Sequence, residues 1–392
     1  MKRIVIVAPA SLPIPATKGG AIETLVHHLI KENEKKHKID ITIISRYEKD
    51  AFILAKEYSF TRFIWYKTTG FTEKIQNRIN RHLVCPLKGE PFYTNWQGFV
   101  IKSLQRIDYD KVIVPNNIEF LPILKKHIGN KDLICYLHNR FKVDERSLDA
   151  CNSVISVSEY VKKEIIEQTC YPEDKIEVLL NCIDKEHFSL SDEERKKARK
   201  HLGLKDEDVA ICFVGRIVEK KGVQHLFDAF KRLNAANTRL FIVGSLGGNF
   251  GESNRQPSPF VQNLLKAAAP LKDKVVFTGF IPNDKVHEIL SAMDIAANPS
   301  LFYEAAPVSN VEHMGMGLPV ITTNRGGIPE YLNADCGFIL DADKDLTDQI
   351  YNALKKLVFD NSLRLRMGKA GLSTAKKFYS DQFFNKFVEI IN

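Results

Sequence analysis

Short apolar runs alternate with longer amphipathic stretches along the whole chain. The runs at 3–8, 39–45, 111–115, 133–137, 153–157, 176–180, 209–214, 239–243, 274–278, 294–298 and 319–322 read as strands. Their near-continuous hydrophobicity, as in Ile4-Val5-Ile6-Val7, marks strands buried on both faces. Between many of them, at 21–36, 159–169, 223–235, 259–269 and 284–292, the pattern is helical. Strand–helix alternation of this kind predicts an α/β chain with parallel sheets covered on both sides. It forms two series, one before about residue 185 and one after about residue 205. The stretch between, 189–205, carries Asp192-Glu193-Glu194-Arg195-Lys196-Lys197 and reads as a surface helix beside an interdomain connection, not a core element. The tail from Ser362 to Asn392 is helical, with an apolar stripe of Leu363, Met367, Phe378, Phe383, Phe387 and Ile391. Gly247 to Pro259, with three glycines and two prolines, reads as a long loop.

A length of 392 residues exceeds the roughly 250–300 at which a single hydrophobic core stops growing. The expected organisation is two Rossmann-like domains, 1–187 and 188–374, with a terminal helix, 375–392, crossing back to the first. Two such domains facing one another would make a central cleft lined by the carboxyl ends of both sheets, where ligands of open α/β folds bind. Apolar residues at 44% and charged residues at 27% exclude a disordered or fibrous chain. No apolar run reaches the roughly 18–20 residues of a membrane span. Lys2, Arg3 and the apolar residues to Ala16 mimic a secretory leader, which Pro9, Pro13 and Pro15 would break. Seven cysteines, at 85, 135, 151, 170, 182, 212 and 336, are odd in number and form no C-x-x-C pair. They suit a reducing compartment, so a cytoplasmic location is expected.

The net charge of +8 is unevenly placed. Residues 1–150 hold 25 Lys and Arg against 16 Asp and Glu, and the remainder 31 against 32. A basic first domain, with Lys67, Lys74, Arg78, Arg81 and Lys88, suits an anionic membrane surface or a phosphate-bearing substrate; ordinary solvated lysines are the alternative. Arg78 and Arg81, in a helical stretch with Ile75, Ile79 and Leu83, are the membrane-contact candidates.

Four segments carry candidate chemistry. Glu304 and Glu312 stand eight positions apart across a turn that opens a helix near Pro307, a residue tolerated in a first turn. Free N–H groups at 307–309 would then form an anion site. A sugar nucleotide asks for this set: diphosphate on the helix end, ribose hydroxyls on one carboxylate, sugar hydroxyls on the other. The plain alternative is two helix-start acids favoured by the dipole. Gly215-Arg216 and, five residues on, Lys221-Gly222 follow a strand and precede a helix. Two cations there can neutralise a leaving diphosphate, or simply form a basic turn. The chain holds neither a Walker A loop nor G-x-G-x-x-G, so nicotinamide and P-loop readings are weak. Gly19-Gly20 permits close backbone approach to a ligand, or just a tight turn. His138 ends a strand, where a lone histidine is more often structural. Asp-x-Asp triplets such as Asp108/Asp110 sit in charged turns, and the histidines lack ligand spacing. Neither metal nor cofactor is expected.

In order and kind these segments resemble the retaining glycosyltransferases of the GT-B fold, family 4, the group 1 glycosyl transferases. That family shows a Gly-Gly loop after its first strand, a histidine late in its first domain, a G-R-x-x-x-x-K-G motif and an E-x7-E motif. Further matches are Ser156-Val157-Ser158-Glu159, Asn181-Cys182-Ile183-Asp184 with Phe188, Phe277-Thr278-Gly279 and Gly326-Gly327-Ile328-Pro329-Glu330. The resemblance covers nearly the whole chain and implies roles. Arg216 and Lys221 would hold the donor diphosphate, with Gly215 beside them. N–H groups near Pro307 and Val308 would bind phosphate, Glu312 the ribose, and Glu304 the transferred sugar. His138 would lie near the sugar C6, Gly19 and Gly20 would make room for phosphate and acceptor, and Phe280-Ile281 would meet the base. The usual Glu-Gly-Phe-Gly is here Glu304-Ala305-Ala306-Pro307, and Pro307 has no N–H to offer.

The activity so implied is metal-independent hexosyl transfer with retention, from a nucleotide diphosphate sugar to a glycan or lipid-linked acceptor. It would serve bacterial-type cell-surface polysaccharide synthesis. UDP-glucose or UDP-N-acetylglucosamine is the favoured donor, and the place is the cytoplasm, peripheral to the inner face of the plasma membrane. No nucleic acid partner is expected. Two other readings share the architecture: a sugar-nucleotide epimerase, and a non-catalytic sugar-nucleotide-binding or coat-type protein.

Overall fold

The computed structural model describes residues 1–67, 70–79, 81–82, 94–140, 145–188, 191–247, 256–271 and 273–392. The chain divides into two units, Met1–Leu180 with Ser380–Asn392, and Asn181–Tyr379. Among the described residues no helix is long and apolar enough to cross a membrane.

The first unit is built on seven strands: β1 (Arg3–Val7), β2 (Asp40–Arg46), β3 (Thr61–Tyr66), β4 (Lys111–Pro115), β5 (Asp132–Leu137), β6 (Ser153–Ser156) and β7 (Ile176–Val178). They lie in the order β3-β2-β1-β4-β5-β6-β7, every pair parallel. Ile4, Val5, Ile6 and Val7 are at most 2% exposed, as a central strand covered on both faces requires. The edge strand β3 goes beyond the sequence reading. Helix Ser380–Ile391 packs on helix Ala21–Lys36 within this unit. There Ser380 donates to the Glu32 carboxylate at 3.0 Å, and the Lys36 ammonium reaches the Asp381 carbonyl at 3.1 Å.

The second unit holds β8 (Val209–Val214), β9 (Thr238–Val243), β10 (Val275–Gly279), β11 (Ile295–Asn298), β12 (Val320–Thr323) and β13 (Gly337–Leu340). Their order is β10-β9-β8-β11-β12-β13, again all parallel, and β13 is the second strand that the hydrophobic pattern misses. Helix Val223–Leu233 turns Val223, Leu226, Phe227 and Phe230 onto this sheet's core. In both sheets the strand order reverses beside the first strand, between β1 and β4 and between β8 and β11. Such switch points leave a crevice at the carboxyl ends of the strands.

Helix Asp192–His201 departs from its expected surface character. Its charged residues do face solvent in the first turns, but Arg199 is 8% exposed. The Arg199 guanidinium bonds Asp294 at 3.0 Å and the carbonyls of Ala292 and Asp208 at 3.1 and 2.8 Å, while Arg195 reaches the other Asp294 oxygen at 2.6 Å. Composition predicts solvation; a half-buried carboxylate before β11 converts two arginines into anchors.

Candidate active site

Because all strands of each sheet run parallel, the loops after them share one edge. In the second unit that edge collects Gly215-Arg216 after β8, Phe280-Ile281 after β10, Pro299 to Glu304 after β11 and Arg325-Gly326 after β12. The two loops that flank the switch point are drawn together by backbone contacts. Gly222, at φ 69° before helix Val223–Leu233, lies so close to the loop after β11 that a Cβ there would fall 1.9 Å from the Pro299 carbonyl oxygen. Only glycine combines that conformation with that approach. The Lys220 carbonyl then accepts from the N–H groups of Leu301 and Phe302, at 2.9 and 3.2 Å.

The side chains that follow meet. The Lys221 ammonium lies 2.6 Å from Glu304 Oε1, and both side chains are largely buried. Ser300 Oγ donates to the same oxygen at 2.7 Å. The Glu304 backbone is fixed as well, its carbonyl accepting from the Gly327 N–H at 2.7 Å. Gly326, at φ 63°, passes so near that a Cβ would sit 2.3 Å from that carbonyl oxygen. A small cavity of 60 Å³ adjoins β8, lined by Gly215, Arg216, Gly244, Ser245, Phe280 and Ile281 among others. Residues that the sequence singled out separately are therefore brought together: Lys221 meets Glu304, and Arg216 lines one cavity with Phe280 and Ile281.

The helix expected near Pro307 is Val308–Gly315. Its anion-binding end differs from the sequence reading. Pro307, at φ −87° and ψ 74°, makes a tight inverse turn in which the Val308 N–H donates to the Ala306 carbonyl at 3.1 Å. Neither Pro307 nor Val308 thus offers a free N–H, and the Asn310 N–H is taken by the Pro307 carbonyl at 3.0 Å. Ser309 keeps its N–H, and its hydroxyl accepts from Asn298 Nδ2 at 2.9 Å. The Asn298 side-chain oxygen in turn accepts from the Val214 N–H at 3.2 Å, tying this helix end to the end of β8. Glu312, one turn inside the helix, is partly buried, and no donor among the described residues reaches its carboxylate. Burial pushes its pKa up to about 7.

Gly19, Gly20 and His138 belong to the first unit, on the carboxyl side of β1 and β5. Gly19 and Gly20, at φ 75° and 97°, lead into helix Ala21–Lys36, where the Glu23 carboxyl folds back over Gly20. Burial raises the pKa of Glu23. The His138 N–H donates to Asn116 Oδ1 at 2.8 Å, and its ring packs 3.9 Å from that of Tyr136. Neither ring nitrogen has a partner among the described residues, and burial pushes the pKa down to about 3, so the imidazole is neutral. Ser300 and Asn298 were not singled out by sequence. Their only signal is position, at and just beyond the end of a strand that leads to an acid. Leu83 and Lys88, named for the basic face, lie outside the described residues; Ile75, Arg78, Ile79 and Arg81 are exposed.

Residues 194–374 match the family model of "Glycosyl transferases group 1". Spore coat protein SA of Bacillus subtilis (strain 168) is 24% identical over 380 residues, covering 94% of this chain and 93% of that protein. The lipopolysaccharide 1,2-N-acetylglucosaminetransferase of Salmonella typhimurium (strain LT2) is 23% identical, with 71% of each chain covered. Among solved structures, Anabaena HepE in complex with UDP and glucose superposes with a TM-score of 0.73 at 17% identity, over 100% of this chain and 99% of that one.

Proposed function

We propose that this chain, which has the GT-B fold, is a group 1 glycosyl transferase that moves a sugar from a nucleotide diphosphate donor to a glycan or lipid-linked acceptor with retention of anomeric configuration. The observation that carries the reading is the pairing of Lys221 with Glu304 at the switch point of the second sheet. A cation and a carboxylate held there are the two groups a sugar diphosphate needs, one for the phosphate and one for the sugar hydroxyls.

On this reading, negative charge grows on the departing phosphate as the bond to the anomeric carbon lengthens. Arg216, Lys221 and the Ser309 N–H would act where that charge develops, which lowers the barrier more than uniform binding does. Glu304 binds the transferred sugar and Glu312 the ribose hydroxyls. The base enters the cavity beside Phe280 and Ile281. His138, neutral and with both ring nitrogens unpaired, would supply a hydrogen bond to the sugar, and Gly19-Gly20 would give the acceptor room. The leaving phosphate takes the acceptor's proton on the same face. The two glutamates serve different parts of the donor, so they are not the flanking carboxyl pair of a retaining glycosidase.

A UDP-sugar is the preferred donor, in line with the UDP bound to HepE, and glucose or N-acetylglucosamine the preferred sugar. A panel of nucleotide sugars, scored by thermal shift and by slow hydrolysis, tests this. One or more UDP-sugars should stabilise the protein and be cleaved without forming an epimer. Epimer formation from donor alone would favour an isomerase, and binding without cleavage under any acceptor a binding-only protein. The acceptor is proposed to rest on the basic first unit, in cell-surface polysaccharide synthesis, beside an anionic membrane contacted through helix Gly70–Ile79 and Arg81. Exchanging Arg78 and Arg81 for glutamate should abolish most binding to vesicles of anionic lipid. Undiminished binding would exclude this contact.

A further inference from the structure

Glu304 Oε1 accepts two hydrogen bonds, one from Lys221 and one from Ser300, while Oε2 has no partner among the described residues. The two donors differ in what they can do next. Lys221 is a flexible ammonium that the donor diphosphate would attract. Ser300 is 4% exposed and locked by its surroundings: its carbonyl accepts from Thr323 Oγ1 of β12 at 2.5 Å, its N–H donates to the Asn298 carbonyl at 2.9 Å, and its hydroxyl accepts from the Phe302 N–H at 3.3 Å. A hydroxyl has one proton to give, and the geometry assigns it to the carboxylate at 2.7 Å ahead of the Phe302 carbonyl at 3.3 Å.

We infer that Ser300 is a positioning residue for sugar transfer: it keeps Glu304 oriented, with Oε2 turned to the substrate, after Lys221 has moved its ammonium from Glu304 to the donor diphosphate. This rests on the reading of Lys221 and Glu304 given above. In the structure the carboxylate is held twice over. With donor bound it would be held by Ser300 alone, so removal of the hydroxyl weakens catalysis and leaves nucleotide binding intact.

The test uses the full-length protein, the nucleotide sugar that the panel selects, and its nucleoside diphosphate as binding probe. Ser300→Ala should lower kcat by about 10- to 100-fold, the cost typical of a misplaced reacting group, with Kd for the nucleoside diphosphate changed less than about twofold. Ser300→Thr, which restores the hydroxyl, should return kcat to within about fivefold of the parent. In a Glu304→Ala background the further change Ser300→Ala should have no effect, because a residue that acts through Glu304 cannot act without it. Should Ser300→Ala fail to fold, Ser300→Cys keeps the volume with a poor donor and carries the same expectation. A wild-type kcat in Ser300→Ala, or an equal loss with and without Glu304, overturns the inference. Wild-type turnover in Glu304→Ala would instead overturn the reading of the site on which it stands.

Discussion

Lys221→Ala is expected to lower kcat/KM for the donor by about 10²–10³-fold, the loss seen when one preorganised donor to a developing anion is removed. Two effects combine. The diphosphate loses a cation held in the loop between β8 and helix Val223–Leu233, and Glu304 loses a 2.6 Å partner in a largely buried position. Ser300 still donates to that carboxylate, so the loss of the cation at the diphosphate is the larger of the two effects. Lys221→Arg keeps the charge, but its planar fork does not reproduce a point charge on a flexible stem, so only partial recovery is expected. Steady-state cleavage of the selected donor measures both variants. Turnover by Lys221→Ala at the parental rate would remove this residue from the mechanism.

The second large effect concerns pH. Glu312 titrates near 7 because burial disfavours its charged form and no donor among the described residues compensates. Ribose hydroxyls bind best to the ionised carboxylate. The donor kcat/KM should therefore rise about tenfold between pH 6 and pH 8, as the ionised fraction grows. Glu312→Gln should flatten that rise. Stability should move the opposite way. A carboxyl whose pKa is raised on folding, from the ordinary 4.5 to about 7, favours the folded state fully below pH 4.5, and that contribution is lost as pH climbs to 7. Above pH 7 the cost approaches about 3 kcal/mol, so Glu312→Gln should be the more stable protein at pH 8 and about equal at pH 4.5. Denaturant titrations at the two pH values give the comparison. Parallel pH–rate profiles in variant and parent would refute the assignment.

Much of the fold was legible because both sheets are parallel and buried, which makes their central strands continuous apolar runs between helices. Two of the four edge strands, β3 and β13, were not. β3 carries aromatic residues on both faces: Phe63 and Trp65 stack on each other at 5.5 Å, while Tyr66 meets Trp96 at 5.4 Å on the opposite side, so no single period emerges. β13 opens on a glycine, and its Phe338 and Ile339 are only half-buried, so it makes no run of its own. In the site, the spacings of Arg216 with Lys221 and of Glu304 with Glu312 could be read directly, because charged residues stand out against apolar strands. The helix end could not. Whether an N–H is free depends on the dihedral angles of Pro307, which spend the Val308 donor on the Ala306 carbonyl. Ser300 and Asn298 were silent for a related reason. A small polar residue in a loop has no periodicity, and its role appears only when its partners, 4 and 11 residues away, fold back onto it.

The account depends on Lys221 exchanging Glu304 for a diphosphate. A crystal structure of the protein soaked with UDP tests this most directly. The predicted result has the β-phosphate within about 3 Å of the Lys221 ammonium and the Arg216 guanidinium, with Ser300 still bonded to Glu304. UDP bound elsewhere, with the Lys221–Glu304 pair undisturbed, would contradict it.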